Sequence, residues 1–242
     1  MIKYFEAAVI LFRQLFFVAL ISFFVSNQSF ADDQNNISSD IPSSKQEPSD
    51  FNDQIYYKNK LELSFDMGWL PYNTPFIFNH LMGDEWARVP LDYTVAPLIL
   101  SLRWQLYDVT GPLFLRGNCD LTFSGSYTII PQGPESRYAA YMMGIRYNFV
   151  QPNWRIAPYV EARFGVGFVD AKGPEGVKYA QGQDLTFNMN FGAGMRYNFN
   201  PRYSVSVGIM YMHISNLYLS EPKTNNYGIN VFGPTVGFNV AL

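Results

Sequence analysis

From Leu61 onward the chain alternates apolar and polar side chains with period two, the spacing of a β-strand whose two faces meet different surroundings. Leu61, Leu63, Phe65, Met67 and Trp69 alternate with Glu62, Ser64, Asp66 and Gly68. Leu98, Leu100, Leu102, Trp104 and Leu106 then oppose Ser101, Arg103 and Gln105, and Leu113, Leu115, Cys119, Leu121 and Phe123 oppose Arg116, Asn118, Asp120, Thr122 and Ser124. A fourth segment sets Tyr141, Met143, Ile145, Tyr147 and Phe149 against Gly144, Arg146 and Asn148. A fifth sets Val160, Ala162, Phe164, Val166 and Phe168 against Glu161, Arg163, Gly165 and Gly167. The sixth, over 187–199, alternates with Asn188, Asn190, Arg196 and Asn198. The seventh carries Tyr203, Val205, Val207, Ile209 and Tyr211, and the eighth, over 228–242, carries Phe232, Val236, Phe238, Val240 and Leu242.

Segments this long match a tilted crossing of the hydrocarbon layer better than the shorter strands of a soluble β-sandwich. Their connections alternate in length. Those at 71–92, 127–137, 170–184 and 214–227 are long, while those at 107–111, 150–154 and 200–201 are short. Tight turns at one end and long loops at the other are the mark of an outer-membrane barrel, whose polar inner face also explains charges interleaved with glycine. The sequence therefore predicts an all-β, eight-stranded antiparallel transmembrane β-barrel of the outer membrane of a Gram-negative bacterium. Trp69, Tyr93, Tyr107, Trp154 and Tyr211 stand near segment ends as interfacial girdle residues.

Ahead of the barrel, Lys3 and Arg13 precede an apolar run over 15–25, which is followed by Ser29-Phe30-Ala31, so residues 1–31 read as a removable export signal. Residues 32–58 are polar and aperiodic and read as a flexible periplasmic lead-in, which leaves 59–242 as one barrel domain. No other stretch approaches the roughly 18 apolar residues of a helical span, although the chain holds 17 Tyr and 21 Phe. A net charge of −3 offers nothing to nucleic acid. Cys119 is the sole cysteine, so no internal disulfide forms, and it reads as a small apolar residue on a strand face.

Chemistry is concentrated near the C-terminus. His213 and Ser215 share the parity of Tyr211 and Ile209, so a base and a hydroxyl lie on the face that meets lipid. Asn230 shares the parity of Phe232 on the next segment and is expected to converge on them. A serine hydroxyl becomes a nucleophile only when a base takes its proton, and the base needs a third group to hold its tautomer. Polar groups on a lipid-facing strand are costly unless they have a use or sit at the interface.

The string His213-Ile214-Ser215-Asn216, followed by Gly228-Ile229-Asn230 and a closing strand, resembles the signature of the lipid A 3-O-deacylases of the PagL type, a family of outer-membrane acyloxyacyl hydrolases. The resemblance implies that His213 is the general base, Ser215 the nucleophile and Asn216 a contributor to the oxyanion hole. It also implies lipid A, or lipopolysaccharide, in the outer leaflet as substrate. The third member departs from the family pattern, which has a glutamate where this chain has Asn230. Asparagine can accept the imidazole N–H, but it cannot offset the imidazolium charge, and Glu221 in the intervening loop is an alternative carboxylate.

The remaining polar residues read more plainly. Asp66, Arg103, Arg116, Asp120, Arg146, Glu161, Arg163 and Arg196 are expected to form a salt-bridged barrel interior, and His80 reads as an ordinary loop residue. The sequence suggests no metal site and no cofactor. Three readings follow: an esterase acting on outer-leaflet lipid, a non-catalytic barrel with a structural or adhesion role, and a narrow pore. The pore fits least, because side chains fill an eight-stranded interior. A homodimer is compatible with all three.

Overall fold

The structure, a computed structural model, describes residues 50–76, 92–224 and 227–242. The export signal, most of the lead-in and His80 lie outside the described residues. The strands are β1 (Leu61–Gly68), β2 (Tyr72–Asn73), β3 (Thr94–Gln105), β4 (Gly117–Gln132), β5 (Arg137–Phe149), β6 (Ile156–Val169), β7 (Leu185–Asn198), β8 (Tyr203–Ser215) and β9 (Ile229–Ala241). All named pairings are antiparallel between neighbours, and β1 pairs with both β3 and β9, which closes the sheet into a barrel.

β1 and β2 are two parts of one barrel strand, since both run along β9. Between them the chain kinks over β9 at Gly233, where an added Cβ would lie 2.1 Å from the Trp69 carbonyl oxygen; only glycine permits that approach. Beyond the kink, Tyr72 faces Phe232 and the Thr74 amide donates to the Asn230 carbonyl at 3.1 Å.

The predicted parity is observed. Leu63, Phe65, Leu100, Trp104, Met143, Val166, Val207 and Phe238 are exposed on the outer wall, whereas Glu62, Asp66, Arg103, Arg146, Arg163 and Arg196 are buried within. At the short-turn end of the interior, Glu62 lies 2.5 Å from Arg196, 3.3 Å from Arg103 and 3.7 Å from Lys60. Asp66 bridges Arg103 and Arg163 at 3.3 and 3.4 Å, and Glu161 bridges Arg146 and Arg163 at 2.7 and 2.9 Å. Shared carboxylates leave none of these cations without an opposite charge, which is the condition for keeping ions in a low-dielectric interior.

Three expectations are revised. The interior is not salt-bridged throughout: toward the long loops it is an apolar plug of Leu70, Val95, Ile99, Met142, Met210, Met212, Ile214 and Val231. The third strand begins at Gly117 rather than near Leu113, because Leu113 adopts φ 45° and Leu113–Leu115 form a short 3-10 helix that lengthens the turn. Arg116 consequently sits at the rim, donating to the Val150 carbonyl at 2.8 Å and lying 3.5 Å from Asp50, outside the interior network. Finally, the end of the lead-in is built into the barrel. Phe51–Gln54 form a 3-10 helix, Ile55 and Tyr56 are buried, and the Asn198 amide donates to the Tyr56 hydroxyl at 3.0 Å.

Candidate active site

β8 carries Tyr211, His213 and Ser215 along one edge of its outer face, while Met210, Met212 and Ile214 between them point into the apolar plug. That plug fixes the strand from behind. In the antiparallel register His213 faces Asn230 directly and Tyr211 faces Phe232. Facing residues of an antiparallel pair place their Cβ atoms about 4.5–5.5 Å apart, within reach of a short amide.

The side chains form one hydrogen-bonded run. Asn230 Oδ1 lies 2.8 Å from His213 Nδ1, and His213 Nε2 lies 3.0 Å from Ser215 Oγ. A carboxamide oxygen can only accept, so Nδ1 carries the ring proton and Nε2 presents its lone pair to the serine hydroxyl. The Tyr211 hydroxyl also donates to Asn230 Oδ1, at 2.7 Å.

His213 and Ser215 have the predicted outward parity, yet they are not bare to the surroundings: they are 9% and 5% exposed. The ring of Phe76 stacks on the imidazole with centroids 4.2 Å apart and planes 30° apart. Gly228, at φ +64°, makes room on another side, where a Cβ would come within 3.3 Å of His213 Cε1. The left-handed backbone and the close approach both favour glycine at this position.

Of the sequence-predicted residues, His213, Ser215 and Asn230 are brought together. Asn216 follows Ser215 but is turned into the loop, where its amide donates to Ser220 Oγ at 2.7 Å and its oxygen accepts the Tyr218 N–H at 3.1 Å. Glu221 is exposed, and the Nδ1 position it was considered for is occupied by Asn230. Sequence reasoning missed Tyr211 and Phe76 as parts of the site, and read Gly228 as part of the motif without its contact with the imidazole. Tyr211 was detectable as the residue two before His213 on the same face; Phe76 lies in an aperiodic loop and gave no signal.

These residues belong to a recognisable sequence pattern. A family model described as lipid A 3-O-deacylase (PagL) matches residues 98–239. The chain belongs to this family. The match runs from within β3 to within β9 and includes every residue of the His213–Ser215–Asn230 run.

Solved structures similar to the PagL-family chain include the outer membrane enzyme PagL, 20% identical, covering 75% of this chain and 99% of that one with a TM-score of 0.49. Neisserial surface protein A is 10% identical, with 76% and 97% covered and a TM-score of 0.48. The outer membrane protein OprG from Pseudomonas aeruginosa is 11% identical, with 78% and 98% covered and a TM-score of 0.39. No curated protein sequence matches the chain. The protein is a closed antiparallel β-barrel of the PagL family.

Proposed function

We propose that this protein is a serine esterase that removes an ester-linked acyl chain, at the 3-O position, from lipid A in the outer leaflet. The reading rests on one observation: the run Asn230–His213–Ser215 on the outer wall of β8 and β9, at the long-loop end of a PagL-family barrel. An esterase for a bilayer lipid needs its nucleophile on the wall that meets the bilayer rather than in the barrel lumen.

In this mechanism Ser215 Oγ attacks the ester carbonyl while His213 Nε2 takes its proton. The carbonyl π electrons move to oxygen, and the oxyanion receives hydrogen bonds from backbone N–H groups beside Ser215, that of Asn216 among them, since the Asn216 amide is engaged with Ser220. Collapse breaks the ester C–O bond as Nε2 returns the proton to the departing sugar hydroxyl. Water, deprotonated by His213, then releases the fatty acid from Ser215. Asn230 accepts Nδ1–H throughout and holds the imidazole in the required tautomer. One chain supplies all these groups, so the site does not require a homodimer.

The amide at position 230, in place of a carboxylate, favours a second reading in which the barrel is structural. Mass spectrometry of lipid A from cells producing the full chain separates the two. The expected spectrum lacks one ester-linked acyl chain, and the loss disappears with Ser215→Ala. Lipid A unchanged by the wild-type chain would overturn the esterase reading in favour of the structural one.

A further inference from the structure

We propose that Tyr211 is a positioning residue that makes an amide usable as the third member of the triad; the inference rests on the esterase reading above. A carboxamide has two ends of nearly equal shape and opposite hydrogen-bonding character. With the oxygen toward His213, Nδ1 carries the proton and Nε2 can act as a base. Turned end for end, the amide NH2 donates to Nδ1, the proton moves to Nε2, and Nε2–H points at Ser215. No base remains. A carboxylate has no such wrong orientation.

Tyr211 biases this choice. Its hydroxyl donates to the same Oδ1 that accepts His213 Nδ1–H, at 2.7 and 2.8 Å, so the two lone pairs of one oxygen take both protons. In the reversed amide neither the tyrosine O–H nor the serine O–H would find its present acceptor. The hydroxyl is held for this task by its ring, which stacks on Phe191 with centroids 6.5 Å apart and planes 18° apart. On the other side it faces Phe232, itself stacked on Tyr72 at 5.1 Å. Tyr211 therefore works through Asn230.

The test is Tyr211→Phe, which keeps the aromatic ring and its stacking, made in the wild-type and in the Asn230→Asp background of the full chain in detergent. Heat-modifiable gel migration checks that each barrel is folded. In the wild-type background kcat is expected to fall about tenfold with KM unchanged, the pattern of a lost transition-state contribution. In the Asn230→Asp background the same change is expected to cost about twofold or less, because either carboxylate oxygen can serve. Nitrogen-15 histidine spectra at alkaline pH, with His213 assigned by its loss in His213→Ala, should show Nδ1–H in the wild type and a growing Nε2–H population in Tyr211→Phe. Equal losses in both backgrounds, or an unchanged tautomer in Tyr211→Phe, would overturn the inference. A tautomer shift in a protein that leaves lipid A intact would uphold the positioning role while removing the esterase reading.

Discussion

His213 and Asn230 form a direct cross-strand pair of β8 and β9, with Nδ1 2.8 Å from Oδ1. The separation suits a side chain of this length, so aspartate, which has the same shape, can take its place without moving the strand. Aspartate would also supply the charge that stabilises imidazolium, whose loss in a serine protease costs about 10⁴ in turnover. Asn230→Asp should therefore raise kcat for acyl release by roughly ten- to a thousandfold. Asn230→Ala should lower it to near the background rate, and Glu221→Ala should leave it unchanged. Measured release of fatty acid from purified lipid A decides the matter, and a dead Glu221→Ala with a fully active Asn230→Ala would make Glu221 the third member.

Phe76 holds one face of the imidazole. An aromatic pair of this kind is worth about 0.5–1.5 kcal/mol. Phe76→Ala is thus expected to reduce kcat/KM by about two- to tenfold without altering gel migration of the unheated barrel, whereas Phe76→Tyr should stay close to wild type. An increase in rate on removing the ring would mean that it obstructs the serine rather than bracing the base.

Glu62 is the shared ion-pair partner of Lys60, Arg103 and Arg196 in the barrel interior, where it is 1% exposed. Removing one member of a buried ion network strands its partners, at a cost of about 3–5 kcal/mol. Glu62→Ala should lower the urea concentration at which the barrel loses heat-modifiability. Deacylation by the fraction that remains folded should be preserved, because the site lies on the opposite face of the wall.

Glu135, 1% exposed between β4 and β5, accepts the Tyr93 hydroxyl at 2.6 Å and the Gln181 N–H at 2.5 Å, joining three of the long loops. Burial, and then the Glu135 carboxylate itself, raise the Tyr93 hydroxyl above its ordinary pKa, so it remains a donor. Glu135→Ala should make the segments around 92 and 181 faster to cleave with protease added outside intact cells, while the strands stay protected. Equal cleavage rates for variant and wild type would show that the clasp contributes nothing to loop order.

The barrel was legible because its strands keep one apolar parity, and Leu63, Leu100, Met143 and Val207 do lie on the outer wall. Parity fades where both faces are apolar. Met210, Met212 and Ile214 interleave with Tyr211, His213 and Ser215, so alternation alone could not reveal an apolar plug behind the site. The facing of His213 and Asn230 depends on register, which the loop between β8 and β9 sets and residue spacing does not. Arg116 misled for a different reason: the alternation continues through Leu113 and Leu115, although the chain there has already left the sheet. Tyr211 read as an interfacial aromatic, and its hydroxyl donates to Asn230.

The candidate site straddles the line where the cylinder seals. β8 brings the base and the hydroxyl, β9 brings the amide, and the far edge of β9 is zipped to the first strand, whose continuation carries Phe76. Before the two ends of the chain meet, β8 and β9 can already pair and bring Asn230 to His213, but the strand that carries Phe76 to the imidazole is not yet in place. Closure is therefore the step that completes the cover over the imidazole.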